Sequence, residues 1–153
     1  MKAISILVLF ISVGSAMAPS SQKNAPSVVD RLCGKLIHSE DVRVKNTQNT
    51  FETQSRILPR VSVLLYRADD GHACCDELLL AAKTTTGRWG SFHFSTKKTS
   101  AGLYWIVVEP EGHENKLLVR YDPKGNSGQL CYQTFWVVND AGNFWKSETV
   151  TVD

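Results

Sequence analysis

The chain has no charge of one sign in excess. It carries 17 Lys and Arg against 15 Asp and Glu, a formal net charge of +2, with both signs interspersed. That excludes the basic stripe by which a nucleic-acid-binding domain neutralises phosphates, so no nucleic-acid partner is expected. Past the N-terminal segment there is no apolar run near the ~20 residues a membrane-spanning helix needs, so no span is expected once that segment is removed. There is no Gly-x-Ser-x-Gly elbow and no phosphate-cradling glycine loop. His113-Glu114-Asn115-Lys116-Leu117 begins like a zinc-protease helix, but Leu117 stands where the second histidine is needed. Asp122-x-Lys124-x-Asn126 begins like a calcium loop, but Lys124 puts a cation where an oxygen ligand belongs. The expectation is a non-enzyme without a cofactor or bound metal.

What is present begins with an export signal. Met1-Lys2 is a positive start, Ala3 to Val13 is apolar, and Gly14, Ser15, Ala16 and Ala18 are small. This is the layout of a secretory signal peptide over residues 1–18, with cleavage after Ala16 or Ala18, and it implies a secreted or periplasmic protein. Residues 19–30 are rich in Ser, Pro, Asn and Gln and read as a flexible lead-in. Residues 31–153 remain for a single domain, long enough to bury a core.

The four cysteines are Cys33, Cys74, Cys75 and Cys131. In an exported chain they read as two disulfides. Adjacent residues are awkward to bridge, so Cys74 and Cys75 are each expected to reach a distant partner, one Cys33 and the other Cys131, in either order. His72, Cys74, Cys75 and Asp76 also form the densest group of possible soft-metal ligands, a reading that requires free thiols.

Strand signals dominate the rest. Arg31–His38 reads as a short strand, and residues 39–58 as a long loop or disordered insertion without a clean period. Val61, Val63 and Leu65 share one face of the next strand, which leads to a turn at Asp69-Asp70-Gly71. Glu77–Lys83 has helix-forming composition but is short, and its place between turns favours a strand. Gly87–Gly90 reads as a tight hairpin connection into a strand with Phe92 and Phe94 inward. Leu103–Glu109 is apolar on both faces, as a central strand would be. Leu117, Val119 and Tyr121 alternate along the following strand, and Leu130–Val138 and Phe144–Val152 complete the set. The fold class expected is all-β, a seven- or eight-stranded antiparallel β-sandwich.

Tryptophan is the better lead to function. Trp89 lies in a turn, Trp105 on the central strand, and Trp136 and Trp145 on the last two strands. Trp105 is opposite in parity to Tyr104, Ile106 and Val108, so one set lines the core and the other the outer face of its sheet. Trp89, Trp105 and Trp145 are the candidate binding surface, for a protein partner or for stacking on sugars. Glu109, Glu111 and Glu114 read as solvated surface, and His38 and His93 as isolated structural residues.

Gly34, Pro59 before Val61-Ser62-Val63-Leu64-Leu65, Thr86-Gly87-Arg88-Trp89-Gly90-Ser91-Phe92-His93-Phe94 and Gly102-Leu103-Tyr104-Trp105-Ile106-Val107-Val108 with Gly112 carry a family pattern. From about Arg31 to Tyr121 the chain resembles a carboxypeptidase regulatory-like domain, of the transthyretin-like (prealbumin-like) β-sandwich group that includes the Cna-B modules. The resemblance implies a non-catalytic exported module that stiffens, spaces or binds, with a protein or a polysaccharide at the cell surface as its partner. Some Cna-B modules cross-link a Lys to an Asn or Asp beside a buried Glu. Here Lys35 is suitably placed, but Glu109 is five residues after Tyr104 instead of four, which moves it to the other face of a strand. No isopeptide is expected.

Overall fold

The computed structural model describes residues 25–45, 50–68, 74–95, 97 and 99–148. The expected signal peptide, the first part of the lead-in, the Asp69-Asp70-Gly71 turn, His72 and the end of the last expected strand lie outside the described residues.

Among the described residues ten strands follow in order: β1 (Ser27–Val29), β2 (Cys33–Arg43), β3 (Phe51–Ile57), β4 (Ser62–Arg67), β5 (Leu80–Thr85), β6 (Ser91–His93), β7 (Gly102–Val108), β8 (Asn115–Tyr121), β9 (Phe135–Val138) and β10 (Phe144–Ser147). Among the described residues the remaining regular structure is single 3-10 turns, at Glu77–Leu79, Pro110–Gly112 and Cys131–Gln133. The first sheet has the order β1-β8-β7-β4-β5, and the second runs β10-β9-β2-β3 with β6 also paired to β2.

The all-β expectation holds, but strand number and direction differ from it. β1 runs parallel to β8 and β9 runs parallel to β2, so both sheets are mixed. Side-chain alternation reports which face a residue occupies and carries no information about the direction of the neighbouring strand.

One core lies between the sheets. The first sheet contributes Val63, Leu65, Tyr104, Ile106, Val108, Val119 and Tyr121, and the second contributes Leu36, Phe92, Trp136, Val138 and Phe144. Burying each such aliphatic or Phe side chain is worth about 1.5–3 kcal/mol. Phe92 and Phe94 face inward as their alternation predicts, and β7 is the middle strand of its sheet. Trp136 is fully buried, and its Nε1–H donates to the Cys33 carbonyl at 3.0 Å. Gly34 permits that seat. Its φ is +153°, and a Cβ there would lie 2.6 Å from both the Thr134 carbonyl oxygen and Trp136 Nε1.

Four local expectations are corrected. Most described residues of 39–58 are strand, not loop. β2 continues to Arg43 and pairs with β3 from Ile37↔Ile57 to Arg43↔Phe51. Pairing of β2 with β9 stops at His38↔Val138. Beyond that point the ribbon leaves the sheet, most of its residues meet solvent on both faces, and no hydrophobic alternation is written into them.

The lead-in is ordered at its end: Ser27–Val29 pairs with Val119–Tyr121, and Val29 is buried. Three residues anchored by one valine are too short to show a period. Gly87–Gly90 is not a hairpin connection either, because β5 belongs to the first sheet and β6 to the second. The turn carries the chain across the sandwich of layers, with Gly90 N–H donating to the Gly87 carbonyl at 3.0 Å. Glu77–Lys83 divides into a 3-10 turn, capped by the Asp76 side chain on Leu78 N–H, and the start of β5.

The cysteines pair differently from expectation. Cys33 bonds to Cys131, and Cys74 bonds to its neighbour Cys75. Cys131 comes beside the start of β2 because Lys35 N–H donates to the Thr134 carbonyl, which sets the two Cα atoms 5.3 Å apart. Cys74 and Cys75 lie in the connection from β4 to β5, in the other sheet, and a positive φ of 83° at Cys75 turns the backbone between them.

Candidate functional site

The three candidate tryptophans sit on three different surfaces. Trp105 pairs laterally with Tyr66 and Leu118 and points away from the core, half-buried on the outer face of the first sheet. Lys116 Nζ lies 6.0 Å from its ring centroid, within cation–π range. Trp145 is opposite Val137, on the outer face of the second sheet, and is 38 % exposed. Trp89 is 64 % exposed in the crossing turn, with the Arg88 guanidinium 5.2 Å from its centroid. The rings therefore do not form one stacking platform.

Around Trp105 the lateral pairings build an ordered surface. One row across the first sheet reads Lys83, Leu64, Val107, Lys116. The next reads Leu80, Tyr66, Trp105, Leu118, with a β-bulge beside Tyr66. A third reads Leu103, Arg120, Val28. Leu64, Tyr66, Leu103 and Leu118 are half-buried and Val107 is fully buried, whereas Leu80 and Val28 are 43 % and 63 % exposed. The charged residues at these outward positions are Lys83, Lys116 and Arg120, all basic; Lys116 also has Glu114 at 3.7 Å. Such a surface has the chemistry to bind. Its parity is written in the sequence, but the rows are not, because they depend on which strands are neighbours.

A second polar feature escaped the sequence reading. A cleft of about 560 Å³ opens between the β7–β8 connection and the β9–β10 turn, lined by His38, Glu111, His113, Asn115 and Asp140 among others. His38 and Asn115 occupy inward positions, level with the core residues Val138 and Val108. His38 Nε2 is 2.8 Å from Asp140 Oδ1; the carboxylate only accepts, so Nε2 is the donor. Asn115 Nδ2 donates to the His113 carbonyl at 3.0 Å. Arg56 donates to Glu111 at 2.8 Å, and this hydrogen bond and charge hold the Glu111 carboxyl below its ordinary range. Polar side chains thus close one end of the core. His38 is tied to Asp140 and not isolated, and of the three glutamates Glu111 is engaged across the sheets.

With Cys33, Cys74, Cys75 and Cys131 all in disulfides, no thiolate is left for the soft-metal reading. Among the described residues no group of three or more His, Cys, Asp or Glu side chains is placed to hold a metal ion. Lys35 lies on the outer side of β2, and Glu109 is exposed just past β7. Among the described residues no helix is long and apolar enough to cross a membrane. The Cys33–Cys131 bond is consistent with an oxidising, extracellular setting. Compared with known proteins, the chain matches no family model, no curated protein and no solved structure.

Proposed function

We propose that this chain is an exported, non-catalytic interaction module whose contact surface is the outer face of the first sheet, centred on Trp105. The carrying observation is the outward set of half-buried side chains Leu64, Tyr66, Leu103, Trp105 and Leu118, backed by the core and bordered by exposed basic residues. Surface aromatics set in apolar surroundings are the usual anchors of protein contacts. The signal peptide of residues 1–18 and the disulfides support a secreted or periplasmic location. The two-layer all-β frame supports the carboxypeptidase regulatory-like, transthyretin-like reading at the level of fold class alone.

The second reading is a carbohydrate-binding module, and the exposed rings of Trp89 and Trp145 favour it. Tryptophan fluorescence separates the two. Titration with amphipathic peptides is expected to change emission in the native chain and in Trp89→Phe and Trp145→Phe, but not in Trp105→Phe. A response to neutral polysaccharides that disappears in Trp89→Phe or Trp145→Phe would establish the second reading instead. Silence toward both ligand sets would overturn both.

A further inference from the structure

Resting on the contact surface proposed above, we infer that its partner is an amphipathic helix of another protein with acidic residues on both flanks. The argument comes from width and charge. From β5 to β8 there are three strand spacings, about 14 Å. A helix with its side chains is about 10–12 Å across, so one helix lying along β4 and β7 fits between β5 and β8. Under it would lie the half-buried Leu64, Tyr66, Leu103 and Trp105, an apolar floor for an apolar helix face. Lys83 on β5 and Lys116 on β8 stand at the two ends of one lateral row, one on each side of that helix. Arg120 continues the β8 side, about 13 Å further along.

An acid-flanked helix therefore meets a cation on either side while burying its apolar stripe, and a base-flanked helix meets repulsion on both. The leucines in the floor also favour protein over sugar, because a polysaccharide would find one Trp and one Tyr among Leu side chains that offer no hydrogen bonds. An acidic polysaccharide is the competing occupant and is separated by the test.

The test compares two synthetic helical peptides with the same leucine face, one flanked by Glu and one by Lys, binding to the full chain by fluorescence anisotropy at low salt. The Glu peptide is expected to bind at least tenfold more tightly. The double variant Lys83→Glu/Lys116→Glu, altered only at exposed side chains, is expected to reverse that order. Equal binding, or tighter binding of the Lys peptide to the native chain, overturns the acidic-helix inference; if Trp105→Ala still weakens it, the contact surface stands. Binding of polygalacturonate that Trp105→Ala weakens, with neither peptide bound, also overturns the inference. No Trp105-dependent binding of any probe overturns both the inference and the contact surface.

Discussion

Gly34, Trp136 and Cys33 form a unit in which each residue needs the other two. The indole N–H satisfies the Cys33 carbonyl, and the missing Gly34 side chain leaves room for the indole. Trp136→Phe keeps an aromatic ring but removes the donor from a buried carbonyl. A loss of about 1–3 kcal/mol from that group is expected in urea unfolding, with a further contribution from lost volume. Another residue-scale link ties the lead-in to the loop after β8. Asp30 accepts hydrogen bonds from the Ser127 amide at 2.9 Å and the Ser127 hydroxyl at 2.8 Å. Burial pushes the Asp30 carboxyl up, but these bonds and the Arg31 charge outweigh it, so its pKa lies below the ordinary 3.8. A carboxyl depressed in the folded state stabilises fully above its unfolded pKa, and that contribution is lost as pH falls through the folded value. Ser127→Ala should therefore lower the urea midpoint at neutral pH, and the gap from the native chain should narrow below pH 3.8. A gap of constant size down to about pH 2 would contradict the assignment. Inward residues were readable from alternation at Phe92 and Phe94 and at Leu117, Val119 and Tyr121. The orientation of Trp105 was not, because both parities of β7 are apolar.

Among the elements, the connection from β3 to β4 is held to the end of β5 by two backbone hydrogen bonds, Arg60 N–H to the Thr86 carbonyl and Thr86 N–H to the Val61 carbonyl, both at 2.9 Å, and by one hydroxyl. Thr86 Oγ1 donates to the Leu58 carbonyl at 2.6 Å and accepts from Val61 N–H at 2.8 Å, and Thr86 is 2 % exposed. Thr86→Val has the same shape but leaves a carbonyl and an amide without partners, at about 1–3 kcal/mol for each buried group left unsatisfied. Thermal unfolding should show a clear drop in Tm, whereas Thr85→Val on the exposed outer face should leave it almost unchanged. Element existence was readable wherever one face is buried, as in β4, β7 and β8. It failed for the projecting part of the β2–β3 ribbon, which has no buried face to mark in sequence, and for β1, which is too short. Connectivity failed at Gly87–Gly90, since a glycine turn between two strands reads the same whether they pair or part.

On the scale of the whole molecule, the two disulfides do different things. Cys33 and Cys131 are 98 residues apart, so their bond constrains most of the unfolded chain. Cys33→Ala/Cys131→Ala is expected to cost about 4–5 kcal/mol in the chain-entropy account, seen as a large fall in the urea midpoint. Cys74→Ala/Cys75→Ala closes no chain loop and should cost far less. The pairing itself was not readable, because it depends on β9 lying parallel beside β2, a neighbour relation that local pattern does not encode. The same reason hid the contact surface: the outward residues come from β1, β4, β5, β7 and β8, and only the sheet order sets Trp105 between Tyr66 and Leu118. The most direct test of that surface is a nitrogen-15 NMR titration of the full chain with the Glu-flanked peptide. The account predicts shifts concentrated at residues 64–66, 103–107 and 116–120. Shifts confined to β9 and β10 or to the Trp89 turn, or no shifts, would contradict it.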